Sequence, residues 1–509
     1  MLADGVEGLM TLFDPHRVAD PYPTYAWLRA ARPVWHPVER VYLLSRHEDC
    51  TAVLRDPRFG RAEAGRLGLR RLGQGAGVTG EQPAVRSFLA LNPPDHTRLR
   101  RLVSRAFTPA RVKDLGPRIE AIAEELIETA VASGGRVDLI AALASPLPVT
   151  VISELLGVPA ANYERLVAWS DALARGLDPG FLISAEDRER QQRARAEFGA
   201  YLSELIGQRR RSPGDDLVSA LVGVVDDGDV LSEEELIATC ILLLVAGHET
   251  TTSLMGSAVL GLIQHPGQLA RLRSEPGLMT GAVEEFLRYD PPVQLTARVA
   301  LTDASIGSVP VSPGSAALML VGAANRDPAL CADPERLDIT RPPTHHVSFG
   351  QGIHFCLGAP LARLETQIVL RLLLDRPDDL RLAGEPAWKE NTVLRGLRSL
   401  PVTFGQRLTA ADRACAAASC SEPNWASSGD RESPVHGQDG PGHQARVDQI
   451  GDGAGHVGGG ADSAGGHAAR GRGELGLALV VGQERPPGGV DDAGRDGVDA
   501  DRRELGRQR

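Results

Sequence analysis

One cysteine, set among glycines, is the first place where this sequence could do chemistry. Cys356 lies in the run Phe349-Gly350-Gln351-Gly352-Ile353-His354-Phe355-Cys356-Leu357-Gly358, with Ala359-Pro360-Leu361-Ala362-Arg363-Leu364-Glu365 behind it. The pattern predicts a loop that turns into a helix, because proline suits a first helical turn. A helix N-terminus offers free N–H donors and partial positive charge, which lower a thiol pKa and favour thiolate. Gly350 and Gly352 permit positive φ and let backbone N–H groups approach the sulfur. Gly358 lets the helix start lie close to a flat partner. The run therefore describes an electron-rich sulfur beneath something planar, against the inert buried role of most free cysteines.

Two further groupings stand upstream. In Asn92-Pro93-Pro94-Asp95-His96-Thr97-Arg98-Leu99-Arg100 the prolines and Asp95 open a helix, and His96 and Arg100 fall on one face, four apart. Two donors so placed can clasp one carboxylate. Arg98, Arg101 and Arg105 read as a solvated basic face, or as a docking patch for an acidic electron-transfer protein. The second grouping is Ala246-Gly247-His248-Glu249-Thr250-Thr251. It sits inside a helix that Ser232-Glu233-Glu234-Glu235 opens as a capping box and that runs to His265, before Pro266. Leu236 to Val245 is apolar nearly all round, so the helix is expected to be buried. Glycine and polar groups in a buried helix cost stability. A local rule broken there points to a site. Glu285 and Arg288, three apart, stack on a later helix.

Taken in order along the chain, H-x-x-x-R, A-G-x-E-T-T, E-x-x-R and F-G-x-G-x-H-x-C-x-G resemble the cytochrome P450 family in its soluble bacterial form, over about residues 10 to 405. The resemblance implies a mainly α fold with a minor β region, a triangular prism-like helical domain around buried haem b. It implies Cys356 as the axial ligand of the haem iron, with Phe349, Gly350 and Gly358 around it. His96, Arg100, Arg298 and His354 would hold the propionates, and Gly247 would make room for dioxygen. Glu249 and Thr250 would relay protons, and Glu285–Arg288 would be a structural ion pair. Its third member stays open among Arg326, Arg336 and Arg341, because Pro334-Glu335-Arg336 is followed by Leu337 where the family often has Phe. The implied reaction is monooxygenation: one atom of O2 enters a small or medium apolar substrate by hydroxylation or epoxidation, with secondary-metabolite (antibiotic) biosynthesis as the setting. Electrons would come from a separate ferredoxin and NAD(P)H-dependent reductase, and a monomer is expected. A haem-binding sensor or sequestering module is the alternative; the intact Glu249-Thr250 pair favours turnover.

The rest of the chain must position these groups. Its net charge of -11 excludes a general nucleic-acid binder, and 42% hydrophobic residues allow a sizeable core. The six cysteines have no paired spacing for a zinc site or disulfide framework. The start of the chain lacks signal-peptide features and no apolar run reaches a membrane-spanning length, so a cytoplasmic enzyme is expected. Helices are expected at 20–29 and 46–54, with a hairpin at 34–44 between them. A long loop over 60–90 would cover the pocket. Helices fill 111–211, with breaks at Gly134-Gly135, Pro146, Pro159 and Asp178-Pro179-Gly180; Tyr163–Leu177 and Ala185–Arg211 resemble the family's lid. Strands are expected at 293–298 and 316–321, the former lining the pocket, and a closing hairpin at 394–404. Residues 1–405 form the haem domain. From Gln406 glycine rises and Phe and Tyr vanish, so 406–509 reads as a disordered tail.

Overall fold

A computed structural model describes residues 11–403, apart from 15–16, 31–32, 37–39, 62–86, 135, 226–227 and 377–379. The tail 406–509 and most of the loop 60–90 lie outside the described residues.

The helices are α1 (Tyr22–Ala30), α2 (His47–Arg55), α3 (Asp95–Ala106), α4 (Pro109–Asp114), α5 (Gly116–Ala132), α6 (Pro146–Leu156), α7 (Tyr163–Arg175), α8 (Ala185–Arg211), α9 (Leu217–Gly223), α10 (Glu233–Gln264), α11 (Pro266–Ser274), α12 (Met279–Tyr289), α13 (Val321–Ala324) and α14 (Ala359–Leu374). The longest, α10, begins at the expected capping box. Glu235 N donates to Ser232 Oγ at 3.2 Å, and Ser232 N donates to Glu235 Oε2 at 2.9 Å. It ends where Pro266 starts α11. Its buried side chains join those of α6, α7, α8 and α14 in one large core. By length and composition α10 could span a membrane, contrary to the expectation that no run would. Most of its apolar stretch, however, is buried inside the protein.

Pro146 does not interrupt the chain as expected. A π-helical turn at Ile140–Ala144 passes through Ser145, itself helical, into α6 with Pro146 at the first position. The missing N–H is not needed there, so the proline marks a change of helical pitch instead of a gap. Elsewhere the expected breaks hold: α7 and α8 fall in the expected segments 163–177 and 185–211, with a turn around Pro179.

A five-stranded sheet has the order β1-β2-β8-β5-β3, from Val34–His36, Val41–Leu44, Ala316–Leu320, Leu295–Ala300 and Phe59–Gly60. β1 and β2 form the expected hairpin, and β2 runs parallel to β8. β5 carries Arg298, beside β3, which ends at Gly60. The closing hairpin is not formed. Leu397–Ser399 pairs with Ala387–Trp388, whereas Pro401–Thr403 pairs with Arg136–Asp138 and with Arg381–Leu382. Between the two segments stands only Leu400, with no residue that favours positive φ, so the chain passes straight from one ladder to the next without reversing.

Candidate active site

The cysteine loop is closed by its own backbone: Cys356 N donates to Phe349 O at 2.9 Å. Gly350 and Gly352 adopt φ of 67° and 70°, as expected of glycine. A Cβ at Gly352 would also lie 2.5 Å from Leu54 O of α2, so the close approach of loop and helix demands its absence. Behind the loop, Arg363 of α14 stacks on the Phe349 ring at 4.4 Å and donates twice to Glu284 of α12, at 2.6 and 2.9 Å. In front, Arg100 donates to Phe355 O at 2.7 Å. The thiol does not become acidic through the helix terminus alone. Burial pushes its pKa up; the N–H groups of Gly358 and Ala359 and the charges of Arg100 and Arg363 pull against that and lose. A metal cation bound at this sulfur would displace its proton outright.

Five basic side chains gather on the inner side of this loop. The rings of His96 and His354 stand 4.3 Å apart. Arg100 comes from α3, Arg298 from β5, and a fifth, Arg61, follows β3; the sequence reading missed it. Its backbone is clamped by Asn92: Arg61 N donates to Asn92 Oδ1 at 2.7 Å, and Asn92 Nδ2 donates to Arg61 O at 3.0 Å. Nothing local flags it, since it opens a stretch without periodicity. Among the described residues none of the five has a carboxylate partner, and His96 Nδ1 and Nε2, His354 Nε2 and Arg61 Nε are buried without any acceptor or donor. Burial pushes every one of them down, and repulsion from neighbouring cations adds to it at Arg61, His96 and His354: Arg61 falls to about 9, Arg298 to about 10 and His354 to about 2, with His96 and Arg100 also lowered. Such a cluster calls for an anion. A planar metal group with two carboxylates, facing the thiol, fits the donor set; haem b is such a group.

On α10 the hexapeptide divides by face. Ala246 is exposed and Gly247 and Thr250 are half-buried, although the following turns are fully buried, so this face borders open space. Thr250 Oγ1 donates to Ala246 O at 2.6 Å, one turn back, which leaves its oxygen to accept from that space. A Cβ at Gly247 would point towards Ile152 at 3.7 Å, an ordinary contact. His248 and Glu249 face the other way, into protein. His248 is held by Ser170 Oγ at Nδ1 (2.9 Å) and by Ser145 Oγ at Nε2 (3.0 Å). Glu249 accepts from Lys389 Nζ at 2.7 and 3.0 Å. Lys389 lies far along the chain and had no sequence signal.

All five side-chain N–H groups of Arg288 find acceptors. It is fully buried, with Nε and Nη2 on Glu285 at 2.7 and 2.8 Å. Its remaining N–H groups donate to the carbonyls of Asn325, Pro334 and Arg336 at 2.8 to 3.1 Å. The third member is Arg341, whose Nε reaches Glu285 Oε1 at 3.3 Å. Arg336 contributes its carbonyl, and Arg326 is instead stacked between Tyr22 and Tyr289. The surface arginines of α3 are engaged: Arg98 pairs with Glu235, Arg101 with Asp229 at 3.5 Å, and Arg105 donates to Val225 O.

The family model described as Cytochrome P450 matches residues 76–376. The chain belongs to the cytochrome P450 family. It is 44% identical to cytochrome P450 107B1 of Saccharopolyspora erythraea, over 77% of this chain and 97% of that protein. With the mycinamicin IV hydroxylase/epoxidase of Micromonospora griseorubida it shares 42% identity, over 72% and 90%. Among solved structures, ligand-free CYP164A2 of Mycobacterium smegmatis superposes with a TM-score of 0.71 at 42% identity, covering 78% of this chain and 99% of that one. This P450 is therefore a haem b monooxygenase that acts with O2 and redox partners on a small molecule.

Proposed function

We propose that this P450 hydroxylates or epoxidises an apolar natural product of small or medium size, drawing electrons from a ferredoxin and its NAD(P)H-dependent reductase, as a cytoplasmic monomer. The names of its relatives, which include hydroxylases and an epoxidase of antibiotic biosynthesis, support the reaction and the setting. The observation that carries the reading is the open face of α10 at Ala246, Gly247 and Thr250, small side chains beside a single hydroxyl, opposite the buried carboxylate of Glu249.

In this reading Cys356 Sγ would bind the haem iron, with Phe349, Gly350 and Gly358 shaping its loop. His96, Arg100, Arg298 and His354, joined by Arg61, hold the two propionates and so regain the partners their buried N–H groups lack. When bound, haem with a cysteine thiolate behind it supplies the activation of dioxygen. Thr250 keeps its own proton on Ala246 O and accepts a hydrogen bond from a water on the open face. Glu249, held ionised against Lys389 on the far side of α10, is the group that would take up a proton and turn to deliver it to that water. Phe355 and Ile353, exposed beside the thiol loop, and Arg101, paired with Asp229, and Arg105, bonded to Val225 O, form the side offered to a ferredoxin in this reading.

The test is a reduced carbon monoxide difference spectrum of the purified protein, followed by a ligand screen for the low- to high-spin shift and by NADH consumption with surrogate ferredoxin partners. The thiolate-type Soret shift, its loss in Cys356→Ser and ligand-dependent NADH use are expected. A Soret band untouched by Cys356→Ser would overturn the ligation.

A further inference from the structure

Behind Glu249 lies a second carboxyl group that the reading above does not use. Helix α7 presents Ser170 and Asp171 to His248 and Glu249 of α10, two consecutive residues against two. Ser170 holds His248, while the carboxyl of Asp171 hydrogen-bonds that of Glu249. Ligating atoms of Asp171, His248 and Glu249 all lie within 4.8 Å of one another. Glu249 is buried, whereas Asp171 keeps part of its surface open to solvent while its carboxyl is packed inward against Glu249, so the pair spans from interior to solvent.

We propose that Asp171 is the positioning residue at the solvent end of the relay, handing protons to Glu249. The inference rests on the relay role given above to Glu249. Two carboxyl groups in hydrogen-bond contact cannot both be ionised at ordinary pH. Lys389 Nζ lies on both oxygens of Glu249, which decides the allocation: Glu249 carries the charge and Asp171 the proton. Burial, the bond to Glu249 and the charge of Glu249 all push Asp171 upward, against the weaker pull of Lys389 and of Arg190 from α8. For Glu249 burial acts upward too, but the hydrogen bond from Asp171 and the charge of Lys389 hold it down. His248 is not the carrier. Both its ring nitrogens are engaged by hydroxyls, and burial pushes it down to about 4, so it stays neutral and pins α7 to α10.

The step is a proton transfer without electron flow. The O–H bond of Asp171 breaks as one forms on Glu249; Glu249 then releases that proton to the water on the open face, and the Asp171 carboxylate is reprotonated from bulk solvent. The pair starts and ends each cycle with one proton and one negative charge, the charge held at Glu249 by Lys389. As pH rises past the elevated pKa, Asp171 loses its proton and the supply to Glu249 falls.

The test uses the haem-loaded full chain with Asp171→Asn and Glu249→Gln. In the resting enzyme, infrared difference titration reads the protonated carboxyl band directly. The parent should show a band that titrates above the ordinary carboxylate range and is missing in Asp171→Asn, over the background of any other buried acid. With surrogate ferredoxin and reductase oxidising NADH, the share of oxygen released as peroxide and its pH profile are then measured. Asp171→Asn should raise the peroxide share several-fold and flatten the alkaline limb, with haem content unchanged. A titrating band that survives in Asp171→Asn, or a profile like the parent's, overturns the proposal. If Glu249→Gln alters the profile while Asp171→Asn does not, only the Asp171 step fails. If Glu249→Gln also behaves as the parent, the relay reading itself fails.

Discussion

Replacing Arg288 by lysine keeps the charge and most of the volume, yet it should be among the most damaging conservative changes in this P450. The guanidinium donates five hydrogen bonds, two to Glu285 and three to the carbonyls of Asn325, Pro334 and Arg336. A lysine ammonium has three donors on one nitrogen, so at least two of these acceptors lose their partner. Each buried polar group left unsatisfied costs about 1–3 kcal/mol, which makes the expected loss roughly 2–6 kcal/mol. That is a large part of a net stability of about 5–15 kcal/mol. Arg288→Met goes further, leaving the Glu285 carboxylate with the Asp338 N–H and a longer contact from Arg341; removing one member of a buried pair costs about 3–5 kcal/mol. Arg336→Lys is the control, because Arg336 joins the network through its carbonyl while its side chain is largely exposed. The assay is urea unfolding of the haem-loaded protein by far-ultraviolet circular dichroism, with haem retention read from the Soret band. A midpoint for Arg288→Lys equal to that of Arg336→Lys would refute the reasoning.

Three other outcomes follow from the same geometry. Arg61→Ala should speed haem transfer to apomyoglobin roughly ten- to hundred-fold, the effect of about 1.5–3 kcal/mol for one charged hydrogen bond, whereas a parent-like rate would remove Arg61 from the propionate set. Glu365 is fully buried in α14, and burial alone raises its carboxyl from 4.5 to about 8. The folded state therefore keeps a proton that the unfolded chain loses. Stability is full below about pH 4.5, falls as pH rises towards 8 by at most ~5 kcal/mol, and is flat beyond. Glu365→Gln should remove that slope in urea titrations across this range, and an unchanged slope would place its cause elsewhere. Truncation after Gly405 should retain haem and the carbon monoxide spectrum; loss of either would show that the tail contributes to the haem domain.

The order of the motifs and the ends of the central helix were legible in the sequence because their causes are local. The capping box spans Ser232 to Glu235, Pro266 stops the helix, and both act through bonds only a few residues long. The same holds for the cysteine loop, whose glycines specify positive φ at Gly350 and Gly352 without help from the rest of the fold. The pair Glu285–Arg288 was readable for the same reason, being one helical turn.

What the sequence could not decide depends on which distant segments meet. Three arginines were candidates for the third member of the Glu285 network, and only the path of the chain after α13 selects Arg341. Lys389 meets Glu249 across 140 residues, and Arg61 reaches the histidine pair only because Asn92 clamps it there. No periodicity records such contacts, since they arise from packing. The sulfur shows the limit most plainly: the residues around Cys356 predict an acidified thiol, but burial, a property of the assembled fold, outweighs the helix terminus and holds the thiol pKa up.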